Sequence, residues 1–519
     1  MKKNMKNRIF QTNVVVWVFL CSVLYGTCCF QSSHAAERNI IVFVTDDESP
    51  TLGCYGDSVA VTPAIDALAD DGAVFDNAFA TTASCSASRS VILSGLHNHA
   101  NGQYGHQHDF HKFASWYDVV SLSLPRALTR AGYRTVRIGK YHVAPEEVYH
   151  FESERKGSPR NAVQMANACA DVINSKSEKP FFLYFATSDP HRGGGIDKDS
   201  ALNLKPDLFG NKPKRGSHKD IKEVFFKPED VQVPTFLPDT PETRSELAQY
   251  YQSCARIDQG LARLVELLKK ANVFDKTLIV FTSDHGMAFS GGKTTVYEPG
   301  LRVPFVVYDP YVKVRGVRSQ SIINHTDITP SVLDFAGELD HSKQRPKHWL
   351  PPEEYWREKP YATNENHGPR HGLLAYHGRS WLPILADTGV EIHDAHFASH
   401  TFHEIQMYYP MRAVSDHEWK LIWNIAHPLP YPFASDLWAA SSWQSQYQRS
   451  LDAPYGNKTV KEYIYRPRFE LYHIKGDPEE TKNLANDPAH AGTLLKYQEK
   501  LKAMQQKFRD PWITKWDYE

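Results

Sequence analysis

Four short apolar segments of the chain share one arrangement of hydrophobic and polar positions. Each is rich in β-branched and aromatic residues, and ionisable side chains follow soon after its last apolar residue. Apolar runs of this length with polar ends are typical of strands that are buried on both faces. The segments are residues 40–45, followed by Asp46 and Asp47; 135–138, followed by Lys140 and His142; 181–185, followed by Asp189, His191 and Arg192; and 278–282, followed by Asp284 and His285.

Amphipathic helical patterns lie between these segments. Apolar residues recur at helical spacing in residues 63–70, 122–131, 161–174 and 243–271. Strands that alternate with helices predict an α/β fold, with a mostly parallel central sheet flanked by helices on both faces. In such sheets ligands bind at the carboxyl ends of the strands. We therefore expect the four polar clusters to meet at one edge.

The pattern changes after about residue 372. Aromatic residues and prolines become frequent, strand-like segments such as 419–423 are short, and a last helical pattern covers 491–508. These features favour a smaller C-terminal α+β domain with an antiparallel sheet. We place a signal peptide at 1–36, a catalytic domain at 37–385 and the smaller domain at 386–519.

The first residues have the order of a cleavable export signal. Four basic residues between positions 2 and 8 precede a short apolar run at 14–25, and small residues follow up to Ala36. The run is short for a membrane span. We expect an exported mature protein, periplasmic or secreted rather than lysosomal, without a membrane span. The alternative is a lipoprotein acylated at Cys28 or Cys29.

Charge and cysteine content narrow the function further. The 519 residues carry a formal net charge of -1, so no overall field attracts nucleic acid and any anion must be bound locally. The cysteines beyond the predicted signal are too few for a disulfide framework. Cys169 and Cys254 lie on apolar helix faces, as buried thiols do. Cys85 differs, because its neighbours are serines and burial does not explain it.

Three of the strand-end residues point to a metal site. Asp46, Asp47 and Asp284 would come close together, and their mutual repulsion would raise the pKa of at least one carboxyl. A divalent cation removes that repulsion, and ligation by oxygen suits calcium or magnesium. The alternative is that adjacent acids after a strand only cap a helix or lie in a solvated loop.

Cationic and proton-transferring residues are expected near the same edge. Lys140, His142, His191, Arg192 and Lys293 around a metal ion would form a pocket for a tetrahedral oxyanion. Each of them alone is a common kind of surface residue. Their convergence is what favours an anion site.

Cys85 precedes a short helical pattern that Gly95 would end. A position near a helix N-terminus lowers the pKa of a thiol and favours bound anions. A plain cysteine nucleophile therefore stays open. A thiolate is nevertheless a soft ligand, poorly matched to a cation held by carboxylates.

Residues 85–89, CSASR, resemble the sulfatase signature: cysteine, any residue, proline or alanine, any residue, arginine. In that family the cysteine is oxidised after synthesis to formylglycine, also called 3-oxoalanine. The segments TDD, GKYH, DPH and SDHG occur in family order. Residues 138–149, 188–192 and 403–412 further resemble the N-sulfoglucosamine sulfohydrolases, or sulfamidases, and the resemblance covers nearly the whole mature chain.

This resemblance implies an alkaline phosphatase-like fold and a nucleophile formed from Cys85. The hydrated formylglycine would supply the attacking oxygen, and Arg89 would hold it. One calcium ion, with Mg²⁺ as the alternative, would bind to the modified Cys85 and to four further side chains, Asp46, Asp47, Asp284 and His285. His285 is a departure, since many sulfatases have asparagine there.

The resemblance also assigns the remaining candidates. Lys140, His191 and Lys293 would hold the sulfuryl oxygens, His191 would protonate the leaving group, and His142 would be the base that releases sulfate. Lys293 stands where close relatives have arginine, so charge is kept and bidentate geometry is lost. The candidates for sugar contacts are Asp189, Arg192, His403 and Glu404; for the last two the alternative is a structural hydrogen bond between the domains.

The leading interpretation is a sulfohydrolase that removes the N-sulfate of non-reducing-end glucosamine in heparan sulfate or heparin fragments. It would need a formylglycine-generating enzyme for maturation, and its relatives suggest a homodimer. The alternatives are an O-sulfatase acting on another sulfated saccharide and a phosphodiester or phosphonate monoester hydrolase of the same superfamily. A further alternative is a secreted carbohydrate-binding protein in which Cys85 is never oxidised.

Overall fold

The computed structural model describes residues 38–108, 111–195, 205–206, 209–211, 218–356 and 375–518. The predicted signal peptide at 1–36 lies outside these residues. Within the described ranges, no helix is long and apolar enough to cross a membrane.

An eight-stranded sheet forms the centre of the structure, in the order β8-β2-β7-β6-β1-β5-β3-β4. Its neighbouring strands pair in parallel, except that β7 runs antiparallel to both β2 and β6. The mostly parallel sheet predicted from the sequence is thereby confirmed. The strands are β1 (Asn39–Thr45), β2 (Ala73–Phe75), β3 (Arg134–Gly139), β4 (Ser153–Arg155), β5 (Phe181–Ala186), β6 (Thr277–Ser283), β7 (Phe305–Tyr308) and β8 (Val317–Ser319).

The four segments predicted as strands are β1, β3, β5 and β6, and they are neighbours in the middle of this sheet. Their last residues are in register: Thr45 pairs with Ser283, and Gly139 pairs with Ala186. The residues that follow each strand therefore leave the sheet at the same edge.

Helices cover both faces of the sheet. Ile40 and Val42 of β1 belong to the core under α2, α3 and α6, whereas Ile41 and Phe43 belong to the core under α1, α4 and α5. This alternation is the period of two expected for a strand buried on both faces. The helices are α1 (Pro63–Asp70), α2 (Cys85–Ser94), α3 (Leu124–Arg130), α4 (Ala162–Ala168), α5 (Pro241–Lys270) and α6 (Ile328–Phe335).

A second, antiparallel sheet follows, in the order β9-β10-β11-β12. One face packs on helix α7 through Trp423 and Leu501. The other face packs on the first part of the chain, where Ala398 and Ile422 share a core with Tyr250. The elements are β9 (His396–His400), β10 (Met411–Ser415), β11 (Lys420–Asn424), β12 (Phe469–Tyr472) and α7 (Ala491–Phe508).

Shorter elements connect these layers. The boundary between residues 385 and 386 remains our proposal for the division into domains. The short helices are Asn98–Asn101, Ala170–Ile173, Glu298–Leu301, Pro352–Trp356, Leu382–Ala386, Ser435–Trp438, Ser441–Tyr447, Val460–Ile464 and Lys515–Tyr518. The short strands form four pairs: Ala78–Phe79 with Ile323–Asn324, Leu339–Asp340 with Arg345–Pro346, Pro454–Tyr455 with Lys458–Thr459, and Gly194–Gly195 with Lys205–Pro206.

A group of histidines packs beside Phe397 of the smaller sheet and Phe508 of helix α7. The rings of His97 and His99 are parallel, with centroids 5.6 Å apart, and His377 lies 5.3 Å from His97. His99 Nε2 is 3.0 Å from the carbonyl oxygen of Phe508 in α7. Burial lowers the pKa of His99 to about 4 and that of His377 to about 3. These imidazoles are therefore neutral in the folded protein at neutral pH.

We expect the free energy of unfolding to decrease between pH 7 and pH 5. An unfolded imidazole binds a proton below about pH 6.5, whereas folded His99 does so only below about pH 4, so its stabilisation is present above pH 6.5 and is lost as the pH falls. The loss by pH 5 is about 2 kcal/mol for this residue.

Urea unfolding of wild type and His99→Gln at the two pH values tests this expectation. The amide of Gln can still donate to the Phe508 carbonyl, but it does not titrate. The free energy of unfolding of the variant should therefore decrease less than that of wild type between pH 7 and pH 5, by about 2 kcal/mol. His348→Gln, at an exposed site, should behave as wild type. An equal pH dependence in wild type and His99→Gln would contradict the expectation.

Candidate active site

Three carboxylates meet at the carboxyl edge of the large sheet. Asp46 and Asp47 follow β1, Asp284 follows β6, and oxygen atoms of the three side chains lie within 4.8 Å of one another. All three residues are fully buried. The in-register ends of β1 and β6 therefore build the acidic cluster that the sequence predicts.

Helix α2 brings Cys85 and Arg89 to this cluster. It begins at Cys85, earlier than the sequence pattern suggests, and ends at Gly95, whose φ of 65° suits glycine. Arg89 lies one turn after Cys85 on the same face. Its Nε donates to Asp284 Oδ2 at 2.9 Å, and its Nη2 donates to Asp46 Oδ1 at 3.2 Å. The guanidinium thus joins the ends of two strands.

Cys85 is fully buried, although its neighbours in α2 are polar. Its Sγ is 3.3 Å from His285 Nε2 and 3.7 Å from Asp47 Oδ1. Burial raises the pKa of the thiol well above its ordinary value, despite the opposing effect of Lys140 and Lys293. This corrects one expectation from the sequence, because the residue is buried, and burial opposes the lower thiol pKa expected near a helix N-terminus.

Lysine ammonium groups balance the carboxylates. Lys140 Nζ is 2.5 Å from Asp46 Oδ2, and Lys293 Nζ is 3.0 Å from Asp47 Oδ2. Burial alone would lower the pKa of Lys293, but the carboxylates of Asp436 and Asp47 outweigh it and hold the pKa well above its ordinary value. With Arg89, three cations therefore face the three clustered carboxylates.

The pKa values of Asp46 and Asp284 are shifted in opposite directions. Burial acts to raise the pKa of both Asp46 and Asp284, but Lys140 and other cations outweigh it at Asp46, where the pKa is lowered. At Asp284 burial prevails and the pKa is raised, with Asp46 and Asp47 adding to the effect. Repulsion between the carboxylates thus contributes to the raised pKa of Asp284, but burial is the larger cause.

His285 directs its Nε2 toward the cluster. Its Nδ1 lies 3.0 Å from the Gly286 carbonyl oxygen, which only accepts hydrogen bonds, so Nδ1 carries a proton. Nε2 then faces Asp47 Oδ1 at 3.1 Å. A side chain at Gly286 would collide with the Pro299 carbonyl oxygen, since its Cβ would lie 1.8 Å away. The three carboxylates and this nitrogen together form a donor set that fits a divalent cation.

The site opens on the side of His191 and Lys140. Their side chains are 20% and 16% exposed, whereas those of Asp46, Asp47 and Arg89 are at 0%. His191 Nε2 lies 3.0 Å from Lys293 Nζ. Burial, with Lys293 and Lys140, lowers the pKa of His191 well below its ordinary value, so its imidazole is neutral.

Three residues of the site have left-handed backbone conformations. They are Asp47 (φ 65°), His142 (φ 55°) and Thr294 (φ 65°), which follows Lys293. Hydrogen bonds hold two of them, since Asp47 N donates to Asp284 Oδ1 at 3.0 Å and Thr294 N donates to the Ala83 carbonyl at 2.8 Å. Such costly conformations persist where the surroundings fix them and cluster at functional sites. The Nδ1 atom of His142 is buried without a hydrogen-bond partner among the described residues.

Asp189 and Arg192 lie in buried ion pairs. Asp189 accepts from Arg160 Nη1 at 3.0 Å and from Arg256 Nε at 2.8 Å, so both of its oxygens are engaged. Arg192 Nη2 lies 2.8 Å from Glu246 Oε2, and its guanidinium packs between two aromatic rings. These contacts favour a structural role for both residues, and that they contact the sugar remains a prediction from the sequence.

His403 and Glu404 lie beside the cluster. His403 Nδ1 is 3.0 Å from the hydroxyl of Ser84, which directly precedes Cys85. Glu404 Oε1 accepts from Ser435 Oγ at 2.9 Å, next to Asp436. Both residues come from the segment after residue 386, so the second part of the chain contributes to the site.

Asp436 and Ser88 are site residues that the sequence did not single out. Asp436 Oδ2 is 2.9 Å from Lys293 Nζ, and Ser88 Oγ donates to the Asp284 carbonyl at 2.5 Å. Asp436 follows no predicted strand, so no pattern marks it. Ser88 occupies a variable position of the signature. Only its helical spacing from Cys85 indicates that it lies near the site and can contact Asp284.

Comparison with known proteins gives one consistent result. Residues 38–338 match the family model described as sulfatase. The human N-sulphoglucosamine sulphohydrolase is 35% identical over 491 residues, which cover 92% of each chain.

Two solved structures share the fold. An enzyme in complex with its substrate, D-glucosamine-2-N,6-O-disulfate, aligns with a TM-score of 0.60 and 19% identity over 91% of this chain and 98% of that one. The phosphonate monoester hydrolase of Agrobacterium radiobacter aligns with a TM-score of 0.60 and 18% identity over 91% of this chain and 96% of that one. At these identities the similarity supports the fold alone.

We expect Asp47→Asn to weaken binding of a divalent cation about tenfold or more, because ligand charge sets the affinity of carboxylate sites for hard cations. Calorimetric titration with Ca²⁺ measures the change. Asp436→Asn is the matched control, since it also removes a carboxylate from Lys293 but lies outside the cluster. An equal loss of affinity in both variants would speak against a metal site at the cluster.

Proposed function

The chain belongs to the sulfatase family, and from this premise we propose that it removes the N-sulfate of a non-reducing-end glucosamine in heparan sulfate or heparin fragments. The observation that carries the proposal is the position of Cys85: a buried, protonated thiol among carboxylates, lysines and His285. The similarity to the human N-sulphoglucosamine sulphohydrolase over 92% of the chain supports the choice of substrate.

A thiol at this position is a poor reagent. Its pKa is raised by burial, and sulfur is a soft ligand beside hard carboxylates. Oxidation of Cys85 to formylglycine by a formylglycine-generating enzyme removes both problems, because the hydrated aldehyde supplies an oxygen nucleophile where the sulfur now stands. Sγ already lies within 4 Å of Asp47 and His285, so that oxygen would be next to the metal ligands.

The acidic cluster fits a calcium ion, with Mg²⁺ as the alternative. When bound, the ion would act as a Lewis acid that orients the nucleophilic oxygen and offsets the charge of the sulfo group. Its ligands would be carboxylate oxygens and His285 Nε2. Because the three carboxylates are already balanced by Arg89, Lys140 and Lys293, the site takes up a cation together with an anionic substrate without a large net charge.

Lys140 and Lys293 are placed to bind the sulfo oxygens. Lys140 lies at the opening, and its ammonium group contacts Asp46, a ligand of the proposed metal. The three N–H donors of Lys293 are held by Asp47, Asp436 and His191. An entering sulfo group would replace one of these contacts, and His191 at the open side is the partner most easily released.

His191 and His142 supply the proton transfers in this proposal. His191 is neutral in the free protein, and the negative charge of a bound sulfo group would raise its pKa and favour the protonated form. It would then donate a proton to the departing amine nitrogen. Burial keeps His142 neutral as well, with its pKa well below the ordinary value, so it can accept a proton when sulfate leaves.

His403 and Glu404 are the remaining candidates for sugar contacts. Their positions beside Ser84 and Ser435 put them next to Cys85 and to the partner of Lys293. Asp189 and Arg192 would instead position the loop that carries His191. Export to the periplasm or medium and assembly as a homodimer remain predictions from the sequence.

Two other reactions use the same machinery. An O-sulfatase would differ only in the substrate contacts, because the strand-end residues do not distinguish an amine from an alcohol leaving group. A phosphodiester or phosphonate monoester hydrolase is kept open by the shared fold with the Agrobacterium enzyme.

We expect preferential release of sulfate from N-sulfoglucosamine over glucosamine 6-O-sulfate. The test uses protein co-expressed with a formylglycine-generating enzyme, with conversion of Cys85 verified by peptide mass. Cys85→Ala should release none and serves as the control for contaminating activity. Release only from the 6-O-sulfate would exclude the N-sulfatase proposal, and faster turnover of a matched phosphate ester would favour the phosphodiesterase reading. If the fully converted protein releases sulfate from neither substrate, both sugars are excluded as substrates.

We expect Glu404→Gln to raise KM about tenfold with little change in kcat, because the substitution keeps the shape and removes a charge from a ground-state contact. Steady-state kinetics on N-sulfoglucosamine measure both constants. Glu418→Gln, an exposed carboxylate in the same part of the chain, is the control and should leave both unchanged. A Glu404→Gln enzyme with unchanged KM would indicate a purely structural hydrogen bond to Ser435.

A further inference from the structure

A second group of possible metal ligands lies beside the carboxylate cluster and contains only imidazoles. Ring nitrogens of His106, His108 and His142 lie within 4.8 Å of one another. His106 Nδ1 is 2.8 Å from His108 Nε2, and the rings of His108 and His142 stack with centroids 5.3 Å apart. His142 follows β3, whereas the other two lie on the loop after Asn98–Asn101, so two separate loops form the group.

Two nitrogens of this group have no hydrogen-bond partner among the described residues. They are His142 Nδ1 and His106 Nε2, both buried. His106 as a whole is only 5% exposed. Buried polar atoms nearly always have a partner, and those that lack one in a protein structure often mark an ion or a water. The unpartnered atoms and the convergence of the rings are independent observations that point to a ligand.

The chemistry of the group selects a class of ion. Three imidazoles without a carboxylate suit Zn²⁺ and its neighbours among the transition metals, while calcium and magnesium prefer oxygen. Three protein nitrogens also leave a fourth position of a tetrahedral zinc ion open. Burial lowers the pKa of His106 well below its ordinary value, so its ring is neutral, which is the form that binds a metal.

We propose that His106, His108 and His142 bind one Zn²⁺ ion, and that this ion inhibits the enzyme. Zinc on His142 would occupy the nitrogen lone pair that the side chain needs in order to accept a proton. The binding site stands on the geometry alone, whereas the inhibition rests on the proposed function, in which His142 is the base.

A second group of residues could also bind zinc, and the experiment has to distinguish it from the three histidines. In unconverted protein, Cys85 lies with Asp284 and His285 in a group that also offers a sulfur and a nitrogen ligand. The binding test therefore uses the full chain carrying Cys85→Ala, in excess Ca²⁺ so that the carboxylates are occupied.

Calorimetry measures the zinc affinity of this protein, and metal analysis after desalting counts the bound zinc. In a parallel sample Co²⁺ replaces Zn²⁺, because its visible spectrum reports the coordination geometry. We expect one zinc per chain and a tetrahedral Co²⁺ spectrum. His108→Gln should weaken zinc binding at least about tenfold, since one of three ligands is lost, while retained Ca²⁺ binding shows that the variant is folded. His348→Gln, at an exposed histidine, is the control and should bind zinc as before. Equal zinc affinity with and without His108 would overturn the site.

The inhibition is measured on converted enzyme with intact Cys85 as sulfate release with increasing Zn²⁺. Wild type should lose activity with the zinc affinity found by calorimetry, and His108→Gln, compared with its own zinc-free rate, should resist zinc about tenfold better. Zinc that binds at this affinity without slowing wild type would overturn the regulatory part. If no variant releases sulfate, the proposed function fails, while the zinc count and the Co²⁺ spectrum still decide the site.

Discussion

The buried guanidinium of Arg89 is the interaction on which the site depends. It reaches from α2 to Asp46 at the end of β1 and to Asp284 at the end of β6, and all three side chains are fully buried. Removing one partner of such a pair leaves an uncompensated buried charge, which costs about 3–5 kcal/mol. The N–H donors of arginine point in fixed directions from a planar group, so one guanidinium can set the distance between two carboxylates, whereas the ammonium group of lysine rotates on a flexible stem. Arg89 therefore fixes both the spacing of the carboxylates and the position of Cys85 one turn earlier.

The sequence predicted the parts of this arrangement that follow from periodicity. The strands β1, β3, β5 and β6 and the rule that ligands bind at carboxyl strand ends were enough to bring Asp46, Lys140 and Asp284 together. What it could not predict depends on contacts between distant segments. The serines around Cys85 read as surface residues, yet α2 is enclosed on all sides. The resemblance implies sugar contacts for Asp189 and Arg192, and it did not reveal that Arg256 and Glu246 from α5 form buried ion pairs with them.

The two parts of the chain make different contributions to the site. The large sheet holds the acidic cluster, Cys85 and Lys140, whereas His403, Glu404 and Asp436 come from the segment that carries the smaller sheet. The smaller sheet shares an apolar core with helix α5 through residues such as Ile422 and Tyr250. In this division, the residues next to the reacting group are fixed by strand ends and helix α2, whereas His403 and Glu404 lie on a loop and Asp436 lies in the short helix Ser435–Trp438. Loops tolerate substitution more readily than strands, so substrate preference can change within one family while the reaction is kept.

The burial of Cys85 limits the stage at which this cysteine can be modified. The thiol is at 0% exposure, and every residue of α2 is buried with it. In the maturation proposed above, an enzyme that oxidises this cysteine has to reach the sulfur, and the folded chain does not expose it. The oxidation would then precede folding of this segment. A chain that folded first would keep its thiol, so the fraction of converted protein would depend on the relative rates of folding and modification.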